Sequence, residues 1–148
     1  MKKQLLFLCV PLLLVFGIFA FTNQNDDGED WPAYLGGPEM NHYSSLDQIN
    51  RSNVSKLEVA WQYNTLDSGV FQCNPIIIKG VLYGISAAGN AFALNGATGE
   101  EKWRFNPDTV KRFLVNRGVT YWEDGEDERI LFSYDQWLYA LDARTGKP

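Results

Sequence analysis

Residues 81–103, VLYGISAAGNAFALNGATGEEKW, read as strand, turn, strand, turn and strand, with a tryptophan near the end of the last. Tyr83 and Ile85 alternate with their neighbours in a β-branched and aromatic run, the period-two pattern of a strand with one buried face. Gly89-Asn90 is a turn pair, residues 91–94 form a short apolar strand, and Ala97-Thr98-Gly99 turns the chain again. Residues 102–105, KWRF, leave as a further strand.

The stretch has a copy. Residues 130–147 read ILFSYDQWLYALDARTGK, and Phe92-Ala93-Leu94 recurs as Tyr139-Ala140-Leu141, 47 positions on. The same spacing carries Ser86 to Ser133, Thr98 to Thr145 and Gly99 to Gly146 without a gap. A period in the forties with four short strands per unit is the signature of propeller blades. Each blade is a small twisted sheet that must stack on its neighbours to bury its faces. The expected fold class is therefore all-β, a β-propeller of which about two blades are present. The first blade is expected at about 72–107 and the second at about 114–148, with inner strand 74–78 and then 81–86, 91–95 and 101–105 in the first. In the second, 114–122 opens the blade and 129–134 and 137–142 continue it. The 47-residue spacing places the tryptophan of the second unit beyond Pro148, so the chain reads as an opening portion of a longer ring. Upstream, residues 57–63, LEVAWQY, read as the last strand of a preceding blade, because Trp61 stands 42 positions before Trp103.

Composition bounds what such a body does. The chain has 148 residues, 14% aromatics, five tryptophans and a formal charge of −5. Without Lys2 and Lys3, the only charges before residue 26, the body stands at −7. An acidic body lacks the basic stripe of a nucleic-acid surface and does not dock on anionic lipid by charge. One histidine, His42, cannot supply a metal cluster, and no GxSxG, P-loop or GxGxxG string is present. Cys9 and Cys73 form no metal-type spacing, and Cys73 is read as a small buried strand residue.

Residues 1–21 form a leader. Lys2-Lys3 precede an apolar run of 17 residues, short for a bilayer span, which fits a secretory signal or an uncleaved N-terminal anchor. Either exports the body, which places it in the periplasm or anchored on the exported side of the membrane. Residues 22–30 are a polar, acidic linker. Residues 31–43 hold Pro32, Gly36-Gly37 and Pro38 and read as an irregular segment with buried aromatic anchors; 50–55 suggests one helical turn. The run 123–128, EDGEDE, is a charged hairpin, since it lacks the alternating oxygen ligands and distal Glu of a calcium loop.

The run ALNGATGEEKW at 93–103, with its partial copy from Ala140, resembles the tryptophan-docking repeats of pyrroloquinoline quinone (PQQ) dehydrogenases. Residues 31–61 look like the N-terminal approach of that family, and LVNRGVTYW at 114–122 resembles the segment of alcohol and glucose quinoproteins that enters the second blade beside the cofactor. The resemblance covers 31–148. It implies an eight-bladed ring holding PQQ and Ca²⁺ near its axis, a small alcohol or sugar as substrate, and a cytochrome or membrane quinone as electron acceptor. In that resemblance Arg117 contacts a PQQ oxygen or carboxylate, a task suited to a forked, fixed cation. A structural arginine paired with an acidic loop is the alternative. Val115 stands where the family lines the ring. Gln72, in FQCNP, stands where alcohol-oxidising members carry a Glu, or else is a capping strand residue. The chain departs from the family at Lys111-Arg112, where alcohol oxidisers carry vicinal cysteines, and at Phe113, where glucose oxidisers carry a His. The family's general base and Ca²⁺ ligands fall beyond Pro148. A non-catalytic envelope propeller, serving as scaffold or binding module, is the competing reading of the same repeats.

Overall fold

The computed structural model describes residues 30–107 and 115–148, so the leader, all of the linker before Asp30, and Lys111, Arg112, Phe113 and Leu114 lie outside the described residues. Two antiparallel sheets form the body. The first is a four-stranded meander of β1 (Ile76–Ile78), β2 (Val81–Ile85), β3 (Ala91–Asn95) and β4 (Glu101–Phe105). The second holds β5 (Thr120–Asp124), β6 (Asp127–Tyr134) and β7 (Trp137–Asp142) in the same order. Phe92, paired with Gly84, and Tyr139, paired with Phe132, stand on the third strand of their sheets, as the repeat expects, but the β6–β7 register is one residue off the 47-residue spacing, which would set Ile130 opposite Ala140 and not opposite Leu141 as observed. A single apolar core joins the sheets: Ile76, Ile85 and Ala91 from the first meet Ile130, Phe132 and Leu141 from the second.

The repeat extends to its turns. In the first blade Asn95 Oδ1 accepts the backbone N–H groups of Ala97 and Thr98, and Gly99 N–H closes on Asn95 O at 2.8 Å. In the second, Asp142 Oδ1 accepts from Arg144 and Thr145, and Gly146 N–H closes on Asp142 O at 2.8 Å. An Asx side chain satisfying two turn amides, followed by a residue at positive φ, is a cheap way to reverse a chain. Gly99 (φ 72°) and Gly146 (φ 69°) supply the second need.

Onto each turn a tryptophan docks. Trp61 Nε1–H donates to Gly96 O at 3.1 Å, and Trp103 Nε1–H donates to Ala143 O at 2.8 Å. A Cβ on Gly99 would sit 2.6 Å from the Trp61 ring, and one on Gly146 would sit 2.7 Å from the Trp103 ring. Each indole therefore lies flat on a glycine of the next unit and hands its one polar hydrogen to that unit's turn, which lets a large ring be buried without an orphaned donor.

Between the sheets Phe105, Phe132 and Tyr139 cluster, with Phe132 stacked on Tyr139 at 5.2 Å and the Tyr139 hydroxyl donating to Pro107 O. The β5–β6 hairpin turns on Gly125 and sets Glu123 opposite Glu128 and Asp124 opposite Asp127. Like charges directly opposed weaken a ladder. Lys79, from the β1–β2 turn of the other sheet, answers this by reaching Glu123 at 3.1 Å and Glu128 at 2.8 Å.

Several expectations need correction. Residues 57–63 have no ladder among the described residues: they run extended from Leu57 but lack a neighbouring strand to bond, and Trp61 docks from an unpaired chain. The inner strand begins at Ile76 and not at Asn74, because Asn74 N–H is spent on Arg117 O and Pro75 has none to give. The second blade's ladder begins at Thr120, since 115–119 are irregular. Tyr34 and Tyr43 are exposed, so within 31–43 only Trp31 acts as an anchor: half-buried, it lies on Gly36 and bridges Ile77 through two backbone bonds. The helical turn falls at Val54–Lys56, where Lys56 N–H donates to Asn53 O at 2.8 Å. Cys73 is half-buried outside any strand, its sulfur accepting from Ile85 N–H, and burial raises its thiol pKa. Among the described residues no helix is long and apolar enough to cross a membrane.

Candidate functional site

The site is built by the irregular chain that leads into β5. Val115, Asn116, Arg117 and Gly118 line an open cavity of about 450 Å³, whose other wall is Ser133 and Asp135 at the β6–β7 connection. Arg117 is exposed, and Val115 is 60% exposed, so a guanidinium and an apolar side chain both face accessible space.

The segment is irregular yet fastened at three points. Asn116 Oδ1 accepts Gly118 N–H at 2.9 Å, while its Nδ2 donates to Ser133 O at 2.8 Å. Arg117 O accepts Asn74 N–H at 2.9 Å. Gly118 has φ 147°, and a Cβ there would meet Asn74 O at 2.7 Å. Only glycine allows the two backbones to approach so closely. The string N-R-G is thus one device: an amide that ties the chain to β6, a cation, and a residue without a side chain that lets the cation's backbone press against the approach to β1.

Of the three residues singled out in the sequence, Arg117 and Val115 line this one cavity. Gln72 does not. It is exposed, two residues before Asn74, on the segment that Asn74 bonds to Arg117. The structure brings its strand of chain to the site but not its side chain to the cavity wall. Lys111, Arg112 and Phe113 fall outside the described residues. Asn116, Ser133 and Asp135 were missed. Ser133 carried a signal, as the sequence-repeat partner of Ser86, but the two are used differently: Ser133 is exposed and offers its backbone carbonyl to Asn116, whereas Ser86 is buried and uses its hydroxyl. In the first blade Asp67 reaches from the preceding segment to accept from the Ser86 hydroxyl and, at 3.0 Å, from Asn90. Burial alone would raise the Asp67 pKa, but the bonds from Ser86, Thr65 and Asn90 outweigh it and hold the carboxyl below its ordinary value.

A second cleft, about 340 Å³, lies at the edge of β1 that Trp31 bridges, lined by Trp31, Leu35, His42, Asn74 and Pro75 among others. It holds the lone histidine of the sequence and no other ionisable side chain. Among the described residues no group of three or more His, Cys, Asp or Glu could hold a metal ion.

Comparison with known proteins meets this geometry. Residues 31–148 match the family model for the PQQ glucose/ethanol/alcohol dehydrogenase β-propeller domain. The dehydrogenase subunit of an alcohol dehydrogenase (quinone) from Gluconobacter oxydans is 34% identical, over 86% of this chain and 18% of its own length. A quinoprotein glucose dehydrogenase from Escherichia coli is 38% identical, over 95% of this chain and 23% of its own. The crystal structure of the quinohemoprotein alcohol dehydrogenase from Comamonas testosteroni superposes with a TM-score of 0.72 at 32% identity, covering 80% of this chain and 18% of that one. The chain spans about a fifth of the length of these relatives. With two stacked antiparallel sheets, indole docking at both joints and a family match across nearly the whole described body, this chain belongs to the β-propeller family of PQQ-dependent glucose and alcohol dehydrogenases.

Proposed function

We propose that this chain forms the opening blades of a PQQ-dependent dehydrogenase that oxidises the hydroxyl of an alcohol or a sugar and passes the electrons to a cytochrome or a membrane quinone. The observation that supports it most is the Arg117 cavity, in a chain that matches the family's propeller from 31 to 148.

The residues present fit PQQ, a flat quinone carrying three carboxylates. Arg117 offers a permanent, forked cation to an anionic or quinone oxygen, from a backbone already fixed by Asn74 and Asn116. Val115 offers apolar surface to a ring face. The cavity is in the size range of small-molecule sites. When bound, PQQ supplies a two-electron sink for the hydride of the substrate carbon. What this chain contributes is placement: the backbone that carries the cation is held before the cofactor arrives, so little loop freedom is lost on binding. The proposed role of Gln72, an uncharged hydrogen-bonding group where alcohol oxidisers carry a carboxylate, rests on its segment being tied to Arg117, since its side chain lies off the cavity wall. Ca²⁺, which the family implies, finds no ligand set among the described residues, so its ligands are assigned elsewhere in the polypeptide. The leader at 1–21 exports the protein, which works in the periplasm or anchored on the exported side of the membrane.

The test is a dye-coupled assay on the protein as its host makes it, reconstituted with PQQ and Ca²⁺ and offered primary alcohols and aldoses. The expected result is dye reduction that requires both PQQ and a hydroxyl substrate. Arg117→Ala should weaken PQQ binding about 10-fold or more, the scale of a lost charged hydrogen bond. No PQQ-dependent reduction with any alcohol or aldose would overturn the proposal and leave a non-catalytic propeller.

A further inference from the structure

We infer that Asn116 is a positioning residue for the cofactor cation: its carboxamide fixes the backbone from which the Arg117 guanidinium extends, and so sets PQQ affinity through the cation. The inference rests on the cofactor reading of the Arg117 cavity and deepens it.

The geometry carries the argument. Asn116 uses both ends of its amide on different partners. Oδ1 takes Gly118 N–H, which closes a local turn around Arg117, and Nδ2 gives a hydrogen to Ser133 O, 17 residues away at the end of β6. The two bonds fix the amide's orientation, since exchanging its ends would set donor against donor and acceptor against acceptor. Residues 115–119 belong to no ladder; among the described residues this segment is joined to the second sheet by Val119 in the core, by its run into β5 and by the Asn116–Ser133 bond, which lies nearest Arg117. Arg117 is thereby held from three sides: by Asn116 before it, by Gly118 after it, and by Asn74 at its own carbonyl. Ser133 and Asp135 form the far wall of the same cavity, so the Asn116–Ser133 bond sets the distance between the cation and the wall it faces. Guanidinium recognition of planar oxygen pairs is directional, so a shift of the Arg117 backbone costs affinity even when the charge is unchanged.

The first blade provides a built-in control. There Asp67 also reaches from the leading segment to the end of the second strand, but by accepting from the Ser86 hydroxyl and not by donating to a backbone carbonyl. No arginine follows it. Asp67 is therefore structural, and its loss should reach stability alone.

The experiment measures the PQQ dissociation constant by fluorescence titration on the host-made protein, with thermal unfolding of each variant alongside. Asn116→Ala should raise the constant roughly 10-fold. Asn116→Ser keeps an acceptor for Gly118 N–H but is too short to reach Ser133 O, so it isolates the tie to β6 and should weaken binding by about half that factor on a logarithmic scale. In the Arg117→Ala background the Asn116→Ala change should add less than about 2-fold, because a residue that acts through the cation has nothing left to place. Asp67→Ala should lower the unfolding temperature and leave PQQ affinity within about 2-fold. Three results overturn the inference: additive losses in the double variant, unchanged affinity in Asn116→Ser and Asn116→Ala while Arg117→Ala weakens binding, or an equal loss in Asp67→Ala. A wild-type dissociation constant unmoved by Arg117→Ala overturns the cofactor reading itself, and this inference with it.

Discussion

Two joints of this molecule use the same contact on unequal foundations. Trp103 docks on the second blade from β4, inside a ladder, and is only 7% exposed. Trp61 docks on the first blade from a chain with no ladder among the described residues and is half-buried. Both indoles nonetheless give their hydrogen to the carbonyl at one repeat position, Gly96 and Ala143, and lie on the glycine three residues later, Gly99 and Gly146. The receiving turn therefore specifies the dock. The donor strand decides only how firmly the ring is held. Each joint also carries a cation. Arg104 stacks over Tyr63 at 5.4 Å and donates to Thr65 O and Glu101 at the first, while Lys79 bridges Glu123 and Glu128 at the second.

If the ladder sets the firmness, truncating the two rings should separate the joints most. Trp103→Ala should cost about 3–5 kcal/mol in urea unfolding, the range for deleting a buried large aromatic, and Trp61→Ala less than half of that. Equal losses would break the comparison. The glycines come next. Gly146→Ala forces a side chain into a ring that cannot retreat and should cost about 2–3 kcal/mol, against about 1–2 for Gly99→Ala, where the Trp61 chain has room to yield. Native-state exchange of the two indole hydrogens would sharpen the same point, with Trp103 the slower.

The smallest effect distinguishes the turns by acid. Asn95 and Asp142 hold equivalent turns, but only Asp142 titrates. The Thr145 hydroxyl above all, with the turn amides, holds its pKa below the ordinary carboxylate value. A carboxyl depressed in the folded state adds stability above its unfolded pKa, near 4, and that contribution is lost as pH falls through the lower folded value. Asp142→Asn should therefore flatten the acid limb of a pH–stability curve below about pH 4. Asn95→Asp should steepen it.

The strands of both blades could be read in advance where local pattern and long-range pairing agree. Residues 91–95, 101–105 and 137–142 stand where the alternation and the repeat put them. The pattern failed where a strand needs a partner. LEVAWQY alternates as well as any strand, yet alternation belongs to the segment and a ladder belongs to a pair. It failed again at Asn74-Pro75, where the ladder is lost to a bond with Arg117, 43 residues distant. At the candidate site, the resemblance singled out Arg117 and Val115, which line one cavity. Asn116 was not, because an asparagine beside an arginine and a glycine looks like any turn, and the bond that gives it a role ends on a backbone carbonyl in another strand. Gln72 shows the converse: its segment reaches the site while its side chain stands off the cavity wall.

The most direct measurement is a crystal structure of the host-made protein loaded with PQQ, read at Arg117. The account predicts the guanidinium within about 3 Å of a PQQ oxygen, with the Asn116–Ser133 bond intact behind it. PQQ seated elsewhere, or Arg117 turned to an acidic side chain with the quinone out of its reach, would contradict it.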